Sequence, residues 1–518
     1  MSHIAVARTI PVQTRGIPDQ MTEPSERLTR TWRSFLALGA GNYGAMAIGL
    51  ATNVVLARRL GAEQYGRLAL LLMASQVLLL VAVNWSHVGF VRFGSREFAS
   101  KGAVTETLWT RLGIVVPAAG LGAITIALAR QPLAAYLGVP SVGVGLVLVH
   151  FVAACALSII GAVFQARDQM ARYGACLFLD KAVMLLLVVA LPAMWTGNPL
   201  AVLAFYAASS LSVAIWGVSA VGARTLRPAF PPPAAYRHMV VFSAPLLLSS
   251  WTGLFGTNWF DIVILKWYVP MSEVGAYSLA TQLAGVVQQI AVIFSTLLVP
   301  RLSVMVAEGE NARIRMLMER LLPYWLLGTS VLFSLVLLGA RAGLPLVFGQ
   351  PYSGAAPVLA LLMVASCALA LFSACMPLVS AYGSTWVLTG ICLVSVAVNV
   401  VLDLLLIPRF GINGSAMATV LAYGTSAVLV LAFVQKRTGG RILRLGWLGT
   451  PTLVACACFL LLDGWWFYPV ALGMVAISSF ALVATFRLFH GEDAVFLRGL
   501  HLKMPLGLGA GSPAGRAL

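Results

Sequence analysis

Charge is scarce in this 518-residue chain: 10% of its positions are Asp, Glu, Lys or Arg, against 60% hydrophobic residues. A water-soluble domain carries about a quarter of its residues charged to clothe its surface. The shortage therefore excludes an ordinary globular fold. Acids are scarcer than bases, 17 against 34, which leaves a formal net charge of +17. Nucleic-acid binding would need those bases gathered on one folded face, but they are scattered between apolar runs, so no nucleic-acid partner is expected. The seven cysteines (Cys155, Cys176, Cys367, Cys375, Cys392, Cys456 and Cys458) fall inside or beside apolar runs without histidines at metal-ligand spacing. They read as small packing residues, and no metal or cofactor is expected. There is no GxxxxGK[ST] phosphate loop, which argues against direct nucleotide hydrolysis, and no catalytic constellation emerges. Residues 1–33 are polar, contain Pro11, Pro18, Pro24 and five arginines, and lack the apolar core and cleavage site of a signal peptide. They read as a disordered cytoplasmic tail.

Apolar runs, by contrast, recur along the whole chain. About 20 helical residues cross about 30 Å of hydrocarbon, and lipid cannot satisfy an open backbone, so each such run reads as a membrane helix. The expected fold is an all-α integral membrane protein with about 14 transmembrane helices. With the N-terminus inside, 26 of the 34 Lys and Arg fall on the cytoplasmic side, Arg111 among them, and seven on the outer side, with Lys181 inside a span. Basic loops are retained in the cytoplasm, so both termini are expected there. Three of the seven outer bases, Arg58, Arg59 and Arg67, crowd into the first outer loop against this trend.

An internal repeat organises the helices. GAEQYGRLAL (61–70) aligns with PMSEVGAYSL (270–279), placing Gly66 on Gly275, and YLGVPSVG (136–143) aligns with VFGQPYSG (347–354), placing Pro140 on Pro351; the offsets are 209 and 211. Two landmarks at nearly one offset predict two six-helix halves, 34–221 and 241–434. A Pro-rich cytoplasmic linker (222–240) joins them, and an additional helical pair (447–486) and a cytoplasmic tail (487–518) follow. Six is even, so the halves share one orientation, as in secondary transporters whose substrate site lies between repeats.

Several runs carry a family resemblance: VNVVLDLLLIPRFGINGSAMATVLAY (398–423), ARRLGAEQYGRLAL (57–70), TNWFDIVILKWYVPMSEVGAYSLA (257–280), VPRLS (299–303) and LPLVFGQPYSGAAPVL (344–359). Together they resemble the polysaccharide-transporter family, the Wzx-type flippases of lipid-linked oligosaccharides such as O-antigen units. That family's superfamily also holds multidrug extruders and peptidoglycan-precursor flippases. The resemblance implies export of an undecaprenyl-diphosphate oligosaccharide across a bacterial inner membrane, for lipopolysaccharide or exopolysaccharide synthesis. Its expected partners are the lipid-linked substrate, membrane lipid, a coupling cation (H+ or Na+) and polysaccharide polymerase machinery. The alternatives are a cation-coupled multidrug extruder of the same fold and a polytopic oligosaccharide ligase or polymerase. The short outer loops argue against the last.

A diphosphate head group calls for guanidinium or ammonium groups, and its glycan for amides and hydroxyls. Arg58 and Arg59, with Lys266 at the corresponding place in the second half, are the candidates for the diphosphate; snorkelling to lipid head groups is the competing reading for the arginines. Asp261 and Asp403 are the clearest intramembrane carboxylates, poised either to pair with Arg58, Arg59, Lys266 or Arg409 or to take up a coupling cation. Asp180 and Lys181 read as a self-neutralising pair or an ion-coupling element. Asn42, Asn53, Gln282, Gln289 and Asn399 fall on polar helical stripes suited to a glycan or to helix-to-helix hydrogen bonds, and Asn258 is a further candidate lumen residue.

Overall fold

The computed structural model describes residues 24–486 and 488, except 193, 194, 196, 257, 258, 383, 384, 440 and 441. No strand occurs among them. The first helix, α1 (Pro24–Ala82), is 59 residues long, about 88 Å if straight and far more than one bilayer crossing. It folds back at Gly61, whose φ of 70° lies in the left-handed region that a side chain disfavours. The N-terminal half continues with α2 (His87–Lys101), α3 (Thr105–Leu128), α4 (Arg130–Leu137), α5 (Ser141–Ala166), α6 (Met170–Ala190) and α7 (Pro199–Val221).

The second half comprises α8 (Pro233–Gly256), α9 (Trp259–Tyr268), α10 (Met271–Ala307), α11 (Leu322–Phe348), α12 (Ala355–Ala381) and α13 (Thr385–Thr438). Pro270 stands between α9 and α10 where Gly61 stands in the first half, at the repeat offset. The 54-residue α13 folds back at Gly411, with φ of 55°. The additional pair is α14 (Thr450–Leu461) and α15 (Phe467–Thr485). It is fastened to α11 by Thr452, whose hydroxyl donates to the Ser330 carbonyl at 2.8 Å, and by the Arg341–Asp463 ion pair at 2.5 Å. By the charge-based orientation, the Gly61, Pro270 and Gly411 turns mark the outer end.

Ten helices are long and apolar enough to cross a membrane among the residues described, two of them the folded-back Ala37–Ala82 and Trp386–Thr438. The protein is a multi-pass membrane protein of all-helical architecture. Leu121, Leu128, Ile215 and Phe480 stand exposed on its flanks, as lipid-facing side chains do, while the largest buried cluster runs through α1, α10, α11 and α12 where the halves meet.

Three local expectations change. Helix α1 begins at Pro24, inside the segment read as a disordered tail. The linker is helical at Ala223–Leu226 and enters α8 at Pro233. Arg111, counted among the cytoplasmic bases, is fully buried between helices. Its place near the start of α3 resembles a loop position in sequence, but the break between α1 and α2 folds the neighbouring turn over it.

Candidate functional site

The halves enclose a central cavity of about 810 Å³, lined by α1, α5, α6, α7 and α10, with single residues from α2, α9 and α13. Helical periodicity builds its polar surface. Asn42, Gly49 and Asn53 recur at steps of seven and four on α1, and Gln282 and Gln289 at a step of seven on α10; all five line the cavity. Asn53 donates through Nδ2 to Gln282 Oε1 at 2.5 Å, and Gln282 donates through Nε2 to the Tyr65 hydroxyl at 2.9 Å. These bonds tie the halves together across the cavity roof. Gln76, Gln288, His87, His150 and Tyr206 add further polar lining that sequence reading did not single out as a set.

Among the described lining residues only Asp180 and Lys181 carry permanent charge. Their side chains pair at 2.9 Å but differ in exposure, 12% for Asp180 and 40% for Lys181. Asp180 also accepts from the Ser210 hydroxyl at 2.9 Å, so the carboxylate is held from behind by α7. The ammonium points into the cavity near the Tyr206 ring, 6.0 Å from its centre. An ammonium has three donors, so the Asp180 bond leaves donors for a ligand. The same Tyr206 ring lies edge-on to His150, 6.1 Å between centres, and His150 Nδ1 lies 2.8 Å from the Ser75 hydroxyl.

Arg58, Arg59 and Lys266 do not line this cavity. Arg58 reaches from α1 to the end of α11, donating to the carbonyls of Val347 at 2.6 Å and Leu346 at 2.8 Å. Arg59 caps the end of α6 through the carbonyls of Val188 at 2.5 Å and Leu191 at 3.3 Å. Adjacent residues on a helix point about 100° apart, which is why the two serve different helices. A cation on the last carbonyls of a helix also complements its dipole. Lys266 is half-buried on α9, and Asn258 lies outside the described residues.

Close to these arginines the two repeat landmarks meet. A Cβ on Gly66 would run into the backbone oxygen of Met271, and one on Gly275 into that of Ala62. Residues equivalent by the repeat that touch each other lie on the axis relating the halves. The Tyr352 hydroxyl donates to the Ala57 carbonyl at 3.1 Å, adding to the same closure. This end of the interface between the halves is therefore held by backbone packing at the axis, with Arg58 and Tyr352 strapped across it.

A second polar cluster sits within the C-terminal half, near its outer end. Asp261 on α9 is 1% exposed and Asp403 on α13 0%. The Tyr277 hydroxyl donates to Asp261 Oδ2 at 2.5 Å, and Ser415 Oγ donates to the Tyr277 oxygen at 3.0 Å. The two carboxyl groups face each other within hydrogen-bonding reach. Asp261 Oδ1 and both Asp403 oxygens have no hydrogen-bond donor from the described residues. Asn399, one turn before Asp403, and Thr419, one turn after Ser415, are also buried. The expected pairing of these acids with Arg58, Arg59, Lys266 or Arg409 does not occur among the described ion pairs. Two carboxylates in so dry a place cannot both be charged alone: they require a shared proton or a bound cation. Tyr277 and Ser415 were missed as members, although both lie in the runs that carry the family resemblance.

Comparison with known proteins bears on this architecture. The family described as polysaccharide biosynthesis protein matches residues 31–306, more than half of the chain. The chain belongs to that family. A protein described as a probable low-salt glycan biosynthesis flippase from Haloferax volcanii is 23% identical over 242 residues, covering 46% of this chain and 50% of that one. An uncharacterised membrane protein of Methanocaldococcus jannaschii is 22% identical over 227 residues, covering 42% and 45%. The chain thus spans about half the length of the curated relatives it matches. In fold, it resembles the lipid II flippase MurJ in an inward closed conformation, with a TM-score of 0.68 at 11% identity over 90% of this chain and all of that one. An inward-facing multidrug transporter of the MOP superfamily follows at a TM-score of 0.59 and 12% identity, over 78% of this chain and 98% of that one.

Proposed function

We propose that this protein exports an undecaprenyl-diphosphate-linked oligosaccharide by alternating access, supplying cell-surface polysaccharide synthesis from a bacterial inner membrane with both termini cytoplasmic. The observation that carries the reading is the cavity between the halves. It is large, lined by amides and hydroxyls suited to a glycan, and furnished with the accessible Lys181 ammonium for a phosphate. Membership of a polysaccharide biosynthesis family supplies the substrate class. Arg58 and Arg59 act in this state on the closure, and become available to the diphosphate only once the outer end parts. The Asp261–Asp403 pair is the coupling element, taking up H+ or Na+ within the C-terminal half. The outer product would pass to a polysaccharide polymerase.

The deciding experiment is a knockout. Cells lacking the protein should accumulate lipid-linked oligosaccharide in the inner leaflet, measured by protection of the glycan from a glycosidase added outside. Normal outer-leaflet delivery in such cells would end the reading. The rival, a cation-coupled multidrug extruder, has one observation in its favour: the cavity offers one ammonium rather than the strongly cationic lining a diphosphate would favour. Drug sensitivity in the knockout, with glycan delivery intact, would select it.

A further inference from the structure

Another polar site lies behind the cavity, at the inner seam where α8 packs on the N-terminal half. The turn at residues 86–90 is sandwiched there. From α3, Arg111 reaches it fully buried, with Nε donating to Ser86 Oγ at 3.2 Å and its guanidinium carbon 5.1 Å from the centre of the Phe90 ring. Its Nη1 and Nη2 have no hydrogen-bond partner, and no ion pair among the described residues includes it. From α8, Ser243 is also fully buried with its hydroxyl unpartnered, and stands against Gly89, one turn along from Ser86. His87, in the same turn, lines the cavity and lies within electrostatic reach of Arg111. The seam thus sits directly behind the inner end of the cavity.

A guanidinium kept only for packing would be expected to find carbonyls or a carboxylate, as Arg58, Arg59 and Arg341 do. Arg111 instead offers four N–H donors with no acceptor among the described residues, and the unpartnered Ser243 hydroxyl stands on the same turn, against Gly89. Such a set matches the oxygens of a phosphate. We propose that Arg111, with Ser243, forms a phosphate-binding site that fills when α8 swings away from the seam, Ser86 holding the guanidinium in place while its own hydroxyl donates to the Val83 carbonyl. The orphaned atoms have no access to solvent as they stand, so loading requires that movement. It separates Ser243 from Gly89, the Phe93 ring from that of Phe242 (5.6 Å), and the Arg92 guanidinium from Phe242 (4.4 Å). The site depends on the transport reading only for the source of its phosphate, the diphosphate of the lipid-linked substrate rather than a free anion. In that role it captures the head group at the inner mouth and hands it on to Lys181.

The test uses the full-length chain in lipid nanodiscs with inorganic pyrophosphate as the probe, followed by calorimetric titration and by the rise in melting temperature. Arg111→Gln is expected to weaken pyrophosphate binding about tenfold or more, Ser243→Ala several-fold, and Arg111→Lys to an intermediate degree, because an ammonium keeps the charge but loses the fork. Arg313→Gln, at an exposed guanidinium paired with Glu310 away from the seam, should leave this binding in place. Undecaprenyl diphosphate in the nanodisc should compete with pyrophosphate; failure to compete while pyrophosphate still binds would assign the site to a soluble anion. Should Arg111→Gln not fold, Ser243→Ala and Arg111→Lys carry the decision. Wild-type affinity in the folded Arg111 and Ser243 variants would overturn the site, even if Lys181→Met abolished glycan transport. Arg111-dependent pyrophosphate binding in a protein that flips no glycan would leave the site standing and remove the transport reading.

Discussion

The contact between Gly66 and Gly275 predicts that a single methyl group at either position props the outer end open. A Cβ on Gly66 would fall within 3.0 Å of the Met271 oxygen, and one on Gly275 within 3.0 Å of the Ala62 oxygen. The obstacles are main-chain atoms, which cannot rotate aside, so α1 and α10 would have to part by about 1 Å to restore van der Waals separation. Overpacking of this kind costs about 1–3 kcal/mol. The cost falls only on the closed state, so it shifts the balance toward the outward-open form by about 5- to 150-fold. The assay places a cysteine at Gln282 in a background without the native cysteines and measures its labelling by a membrane-impermeant thiol reagent from outside. Gly66→Ala and Gly275→Ala should each accelerate labelling, and Gly328→Ala, whose Cβ would meet nothing within 4 Å, should not. Equal labelling in all three folded variants would refute the view that this contact is the outer gate.

Further outcomes follow from the same geometry. Lys181→Met should cut glycan transport in proteoliposomes by about 10- to 100-fold through loss of charge-assisted phosphate bonds. Because the substitution leaves the buried Asp180 carboxylate held only by Ser210 and Ser209, thermal stability should also fall, by about 1–3 kcal/mol; wild-type transport in the folded variant would remove Lys181 from the site. Asp403→Asn should uncouple transport from an imposed Na+ or pH gradient, and retained gradient dependence would clear the acid pair of that role. Thr452→Val removes a hydroxyl bonded to the Ser330 backbone and should lower stability by about 1 kcal/mol, read as a reduced melting temperature; an unchanged value would show that this hydroxyl does not fasten α14 to α11.

Much of this architecture was legible because membranes leave the chain few choices. Apolar length marked the helices, and the Gly66–Gly275 alignment marked an axis that the structure shows as a physical contact. Stripe periodicity found Asn42, Asn53, Gln282 and Gln289, all on the cavity. The buried acids also stood out, since a carboxylate inside an apolar run needs a reason. What periodicity could not supply was the partner of each charge. Arg58 and Arg59 are equally compatible in sequence with phosphate, lipid head groups and carbonyl capping, and only the approach of α6 and α11 selects the last for this conformation. Asp180 and Lys181 are a neighbouring pair in sequence, yet which of them faces the cavity depends on Ser209 and Ser210 of α7. The burial of Arg111 went unforeseen for a related reason: the break in the α1–α2 helix that buries it carries no proline or glycine at residues 84–86.

The position of the acid pair suggests how a cation and the outer gate communicate. Tyr277 reaches from α10 to Asp261, and Gly275, two residues earlier on the same helix, packs on Gly66 at the axis. The groups proposed to take up the cation and the contact proposed as the gate thus meet on one turn of α10, which Pro270 joins to the far end of α9, about two turns from Asp261. Without a proton or cation, facing carboxylates repel one another, and α9 and α13 cannot keep their separation unchanged. Any movement of α9 is transmitted to α10 through Pro270 and the Tyr277 hydrogen bond. Interlocked backbones at the axis tolerate little sliding, so the gate has few positions between shut and parted. In the proposed cycle, a small displacement at the acids therefore selects between a shut and a parted arrangement of the Gly66–Gly275 contact.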